Sequence, residues 1–175
     1  MTIRLNGSTS GYTEIDAAAV ADNGVLSLPT GTGTLLTAEG GKVLQIVRAT
    51  DTTTRTTTST SFVDATGLTV TITPQRNTSA ILLICHVDVL PANNDIIILQ
   101  WTDSSNNTIS GASNSAFGAL TSNTLINKFT MISYATPATV SAVTYKVRFR
   151  SNSGGSVSIR NGTELGQVYA IEVSA

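Results

Sequence analysis

The sequence predicts an all-β protein: an antiparallel two-sheet sandwich of jelly-roll type with an extended N-terminal arm. Three observations predict it. From residue 42 onward, short runs rich in Val, Ile, Thr and aromatic residues are broken by Gly, Pro, Asn and Ser clusters at roughly strand-length intervals. No stretch carries the apolar period of a long helix. Two runs, residues 66–74 and 79–89, read as consecutive strands, one alternating apolar residues with Thr and the other apolar at nearly every position. Connections this short cannot make parallel crossovers, so the strands pair antiparallel, and a jelly roll is the natural closure. An immunoglobulin-like sandwich is the alternative, but its cysteine pair is missing.

Length and composition set the limits. The 175 residues suit one domain with an appended arm. A chain of this size buries roughly 70% of its unfolded surface and needs no covalent staple. A single cysteine, Cys85, excludes an intrachain disulfide. Only 12% of residues are charged, and ten basic side chains face eleven acidic ones. That balance steers the chain towards neither nucleic acid nor anionic lipid. An uncharged polar surface suits a protein that packs against copies of itself, and it equally suits any Thr-rich β protein. No secretory leader is visible, and no apolar run approaches the ~20 residues that span a bilayer.

Residues 1–41 read as an attachment arm and residues 42–175 as the β head. The arm holds short apolar pieces between Gly-, Ser- and Thr-rich segments. Residues 16–21 are predicted to form one helical turn capped by Asp16, and residues 25–28 a short strand. Such a segment makes no core of its own and orders by lying on another surface.

In the head, residues 43–48 are the first predicted strand. Residues 52–60 continue as a Thr-rich edge, where Arg55 discourages stray pairing. Residues 61–63 pair briefly, and residues 68–73 follow, ended by Pro74. Residues 75–78 turn into the strand 80–89. Strand 96–102 comes after the loop 91–94. Residues 103–124 read as a long polar loop anchored by Phe117 and Leu120. Strands at 126–134, 144–150, 156–160 and 167–174 complete the count, separated by turns at Pro137, Gly154 and Gly162.

Side-chain alternation assigns faces. Tyr145, Val147 and Phe149 point inward, leaving Lys146, Arg148 and Arg150 as a basic row towards solvent or an anionic partner. In the last strand Tyr169, Ile171 and Val173 share a face opposite Val168, Ala170 and Glu172. Two strands break one-sided burial. Between residues 81 and 89 the even positions Leu82, Ile84 and His86 add a second apolar face, and Ile96 and Ile98 do the same beside Ile97 and Leu99. A covered second face follows, clamped by the arm, by the loop 103–124 or by another subunit. Each extra aliphatic side chain buried contributes on the order of 1.5–3 kcal/mol. A homo-oligomer, with a trimer favoured, is the expectation.

No catalytic, cofactor or metal constellation emerges, and the chain is expected to be non-enzymatic. His86 and Asp88 share a strand face, but a Ser-His-Asp site also needs a nucleophile and an oxyanion hole, and no Gly-x-Ser-x-Gly elbow occurs. At a subunit interface His86 would sense pH as it charges. Cys85 and His86 are neighbours on one strand, so they face opposite ways and cannot share a metal. Residues 30–34 lack the Lys of a phosphate loop. Trp101, Tyr134 and Tyr12 are the aromatic residues available to stack on sugars.

Several stretches carry a resemblance. Val47-Arg48-Ala49-Thr50-Asp51-Thr52-Thr53-Thr54-Arg55-Thr56, Ser61-Phe62-Val63-Asp64, and Thr66-Gly67-Leu68-Thr69-Val70-Thr71-Ile72-Thr73-Pro74 with Ser79-Ala80-Ile81-Leu82 form a pattern. That pattern resembles structural proteins of tailed bacteriophages, marine and cyanobacterial ones especially. The opening Ile3-Arg4-Leu5-Asn6-Gly7 and the ending Val168-Tyr169-Ala170-Ile171-Glu172-Val173 are also similar to tail-fibre-like chains of that group. The resemblance implies a virion protein, made in the host cytoplasm, with a trimeric β-rich head and no enzyme activity. Its implied partners are further copies of itself, other virion proteins through the arm, and a host surface glycan, with no nucleic acid and no membrane. A tail fibre or adhesin is the first reading, and a capsid decoration protein that cements the shell is the alternative. A glycan hydrolase is a third, opposed by the lack of a paired-carboxylate site.

Overall fold

The computed structural model describes residues 3–6, 12–15, 42–91, 95–110, 115–118, 126–162 and 165–174. The chain divides into two compact units, Met1–Leu36 and Thr37–Ala175. In the first, β1 (Ile3–Asn6) and β2 (Tyr12–Ile15) pair antiparallel, with Ile3 opposite Ile15 and Asn6 opposite Tyr12. The helical turn expected at 16–21 and the strand expected at 25–28 lie outside the described residues.

The described strands of the second unit are β3 (Val43–Asp51), β4 (Thr54–Thr57), β5 (Val63–Ile72), β6 (Ala80–Leu90), β7 (Ile96–Asp103), β8 (Ser115–Gly118), β9 (Asn127–Ala135), β10 (Val143–Ser151), β11 (Val157–Arg160) and β12 (Gly166–Val173). All their pairings are antiparallel. One sheet runs β5-β10-β7-β8. The other runs β3-β12-β6-β11-β4, with β9 also on β6. In that sheet β12 pairs with β6 from Ala80 to His86, and β11 pairs with it at Val89 and Leu90. The two therefore lie in tandem along one edge of β6, while β9 occupies the other edge from Ile81 to Val89. On the next position out, β3 pairs with β12 and β4 with β11, so they too run in tandem.

The two sheets close on one core. From the first come Leu68, Val70 and Ile72 of β5, Val147 and Phe149 of β10, and Leu99 and Trp101 of β7. From the second come Ile81, Leu83, Cys85, Val87 and Val89 of β6, Met131 of β9, Ile159 of β11, and Val168 and Ala170 of β12. The odd positions of β6 are thus the core face, as alternation requires. In β12 the core face is Val168, Ala170 and Glu172, and Tyr169 and Ile171 look outward. Burial of the charged Glu172 is the departure from ordinary patterning.

Two strand boundaries differ from expectation for a physical reason. Residues 61–63 and 68–73 do not make two strands: β5 is continuous through Gly67, which sits at φ 95°. Between the pairs Lys146↔Thr69 and Arg148↔Asp64, β5 spends more residues than β10, so it bulges there. Only glycine suits that place, because its φ disfavours a side chain and an added Cβ would lie 2.6 Å from Asp51 Oδ1. The loop expected at 103–124 contains β8 at its middle, and Phe117 lies in that strand; Leu120 lies outside the described residues.

Three carboxylates fasten the irregular joints. Asp51, at the β3–β4 break, receives both terminal nitrogens of Arg55 and the side-chain amide of Asn161 at 2.9 Å. Arg55 reaches on to the Thr66 hydroxyl at 3.0 Å, which ties the β5 bulge to the same corner. Glu172 accepts from the Gln75 backbone N–H at 2.8 Å and from Gln45 Nε2 at 2.5 Å, joining β12 to the β5–β6 turn and to β3. Asp95 accepts from the backbone N–H groups of Ile96, Ser153 and Gly155 at 2.7, 2.9 and 2.7 Å and from the Ser151 hydroxyl at 2.5 Å. It therefore locks the start of β7 to the β10–β11 turn. Burial alone would raise the Asp95 pKa, but these hydrogen bonds outweigh it and hold the carboxyl at about 2.

A depressed folded-state pKa contributes stability above the unfolded value that is lost as pH falls through the folded one. Asp95→Asn is therefore expected to cost about 2 kcal/mol at neutral pH, and its gap from the parent should close as pH falls from about 5 towards 2. Urea unfolding across that range checks it; a gap independent of pH would contradict the account.

Candidate functional site

The outer face of the β3-β12-β6-β9 sheet is the most distinctive surface of the second unit. Strand register builds it row by row. Ile46 of β3 stands opposite Ile171 of β12, which stands opposite Leu82 of β6, which stands opposite Tyr134 of β9. The next row is Arg48, Tyr169, Ile84 and Ile132. The third is Thr50, Gln167, His86 and Thr130. Two adjoining rows are thus almost wholly apolar, and the third is polar and uncharged apart from what His86 carries.

These side chains are outside the core yet remain accessible. Ile46 is 61% exposed, Ile132 58% and Tyr134 54%, while Leu82, Ile84, Tyr169 and Ile171 are half-buried against one another. Arg48 lies over the Tyr169 ring at 5.9 Å from its centroid, so its charge rims the patch. A contiguous apolar patch rimmed by polar groups is the signature of an interaction surface. Covering it with matching apolar surface gains roughly 25 cal/mol per Å² removed from water.

The expected second-face residues fall on two surfaces. Leu82, Ile84 and His86 belong to the apolar face just described. Ile96 and Ile98 lie on β7, on the outer side of the other sheet, where Ile98 stands opposite Arg150 and is itself buried. The single covered face of the sequence reading is therefore two faces, one on each side of the sandwich.

Lys146, Arg148 and Arg150 do form a row, beside Ile98 on the outer side of β10. Their charges are engaged within the chain. Lys146 Nζ and Arg148 Nε both donate to Asp64, at 2.8 and 2.7 Å, and Arg148 also donates to the Phe62 carbonyl at 2.7 Å. Arg150 lies 5.3 Å from the centre of the Phe62 ring. The hydrogen bond from Lys146, joined by that from Arg148 and by both charges, outweighs partial burial and keeps the Asp64 carboxyl below its usual range. Asp64 was not legible as this anchor, although its opposition to Arg148 follows once the bulge at Gly67 is placed.

His86 and Asp88 do not bond to one another in the structure. His86 Nδ1 shares a hydrogen bond with the Thr130 hydroxyl at 2.7 Å, and Asp88 pairs with Lys128 at 3.3 Å. Both contacts reach across to β9 and fix its register. Cys85 is fully buried on the opposite side of β6, and burial pushes its thiol up to about 12. Such a thiol is a poor nucleophile and metal ligand at neutral pH. Among the described residues no group of three His, Cys, Asp or Glu side chains converges as a metal site, and no helix is long and apolar enough to cross a membrane.

The three aromatic residues picked out for stacking separate cleanly. Trp101 is fully buried in the core, and the side chain of Tyr12 lies outside the described residues. Tyr134 is exposed, at the last turn-facing part of β9. The sequence reading missed Ile46 and Ile132 as members of the apolar face. Ile132 sits in a strand that alternates with Thr130 and Lys128, and only its register against β6 reveals its neighbours.

No protein-family model and no curated protein matches this sequence.

The face predicts a contrast between neighbours on β6. Leu83→Ala opens the core and is expected to cost about 2–5 kcal/mol. Ile84→Lys, one residue on and facing out, should leave the stability of the isolated head within about 1 kcal/mol. Urea unfolding of dilute samples checks this; equal losses for the two would contradict an outward Ile84.

Proposed function

We propose that the chain is a non-enzymatic structural protein of a tailed-phage particle, a tail-fibre or adhesin-type component. Its head is a jelly roll that assembles as a homotrimer, and residues 1–41 attach it to other virion proteins. The observation that carries this reading is the apolar outer face of the β3-β12-β6-β9 sheet, whose exposed Ile46 and Ile132 flank Leu82 and Ile84. Three copies around an axis cover such a face with its own kind, without a buried charge to neutralise.

Strand order supports the jelly roll. Counting β3 with β4, and β11 with β12, as single kinked strands leaves eight among the described residues of the head, in chain order. One sheet then reads first, eighth, third, sixth, and the other second, seventh, fourth, fifth. Apart from the directly paired fourth and fifth, successive described strands alternate between sheets in the manner of two interlocked Greek keys. The resemblance of residues 47–82 to phage structural chains supports the virion setting.

Immunogold labelling with an antibody raised against the head tests the placement, applied to particles purified from lysates in which the chain is made. Label is expected at the tail end of the particles. Label spread over the shell, or none on the particles, would overturn the tail-fibre reading.

A further inference from the structure

A cleft of about 510 Å³ opens at one end of the sandwich, between the 103–110 connection, the end of β9 and the start of β10. We propose that it binds a neutral saccharide. Its walls include Asp103, Thr108, Ser110, Tyr134, Thr136 and Thr144. Hydroxyl side chains both donate and accept, which is the pattern that sugar hydroxyls require. Tyr134 ends its row of the apolar face on β9, where the cleft begins, and its exposed ring offers a flat surface to the apolar face of a pyranose; Pro137 and Ile109 extend the apolar part of the lining. The volume lies within the range of small-ligand sites, roughly 300–1,000 Å³.

Charge selects against anions. No Lys, Arg or His contributes to the lining among the described residues. Asp103 is held ionised: the hydrogen bond from the Asn107 side chain, with the backbone N–H groups of Asn107 and Ser105 and the Lys146 charge, outweighs burial and lowers its pKa. Its partner across the strands, Tyr145, is pushed up to about 12 by burial and by that same carboxylate, so its hydroxyl keeps its proton. A fixed negative charge beside neutral hydroxyls excludes uronates and phosphates and leaves uncharged sugars.

The walls are built in advance. Asp103 accepts from the N–H groups of Ser105 and Asn107 at 2.8 and 2.9 Å and from Asn107 Nδ2 at 2.8 Å. The Asp103 N–H donates to the Asn107 carbonyl at 2.9 Å, and the Ile109 N–H to the Trp101 carbonyl at 3.0 Å. On the far wall Thr144 shares a hydrogen bond with Thr71 at 2.8 Å. A rigid connection of this kind lowers the ordering cost of binding.

The assignment deepens the adhesin reading and rests on it, so its test measures assembly and binding on one sample. Lactose, maltotriose and di-N-acetylchitobiose are titrated into the isotope-labelled full chain, with glucuronate and inorganic phosphate as anionic comparators. Amide shifts are followed by NMR, and mass by sedimentation. At least one neutral probe is expected to give saturable shifts confined to residues 103–110 and 134–145, with Kd on the order of 1 mM. Thr136→Arg and Ala142→Arg, both filling exposed parts of the cleft, should each weaken binding at least about tenfold without changing the mass. Absence of saturable shifts with every neutral probe would overturn the proposal, as would equal binding of glucuronate or unaltered affinity in both variants. An unchanged mass in those cases leaves the assembly reading standing and places the failure in the cleft.

Discussion

Strand β6 is the constraint on which the rest of the head depends. It is the strand to which β12, β11 and β9 all pair, and it carries apolar side chains on both sides. Its odd positions fill the core with Ile81, Leu83, Cys85, Val87 and Val89. A one-residue slip would exchange that set for Leu82, Ile84, His86 and Asp88, and would bury a histidine and a carboxylate. The contacts His86–Thr130 and Asp88–Lys128 on the outer side hold β9 in register against such a slip. The same strand thus specifies the core with one face and presents an apolar surface with the other. The functional reading follows from that double role.

The remaining order is secured where the strands break. Both tandem joints of the large sheet, between β3 and β4 and between β11 and β12, meet at Asp51, Arg55 and Asn161. Gly67 and Gly166 are the close approaches at this corner; a Cβ on Gly166 would collide with Asn161. A bidentate Arg–carboxylate pair is directional, so it fixes the angle of the kink as well as its place. Glu172 and Asp95 perform the same service at two other joints, each satisfied chiefly by backbone N–H groups. Few charged residues are present, and several of them are spent on corners rather than on the surface.

Much of this was legible in the sequence and some was not. Long strands with clear alternation, such as residues 144–150, read directly because one face is packed and the other wet. The split of Leu82, Ile84 and His86 from Ile96 and Ile98 was not legible. Both strands look two-sided, and which outer surface each belongs to depends on which sheet it joins. Gly67 stands inside the run 66–74 in the sequence, and a lone glycine there does not by itself tell the start of a strand from a bulge within a longer one. Glu172 looks like a solvent residue until the backbone N–H groups of Gln75 and Arg76 are brought to it from the distant β5–β6 turn. The cleft is likewise a product of three separate segments, and only Tyr134 could be picked out beforehand as one of its residues.

The central claim is that the outer face of β3-β12-β6-β9 is covered by like copies. Sedimentation equilibrium of the intact chain at several loading concentrations measures that most directly. The account predicts a mass that rises with loading to that of three chains. A one-chain mass at every concentration would contradict it.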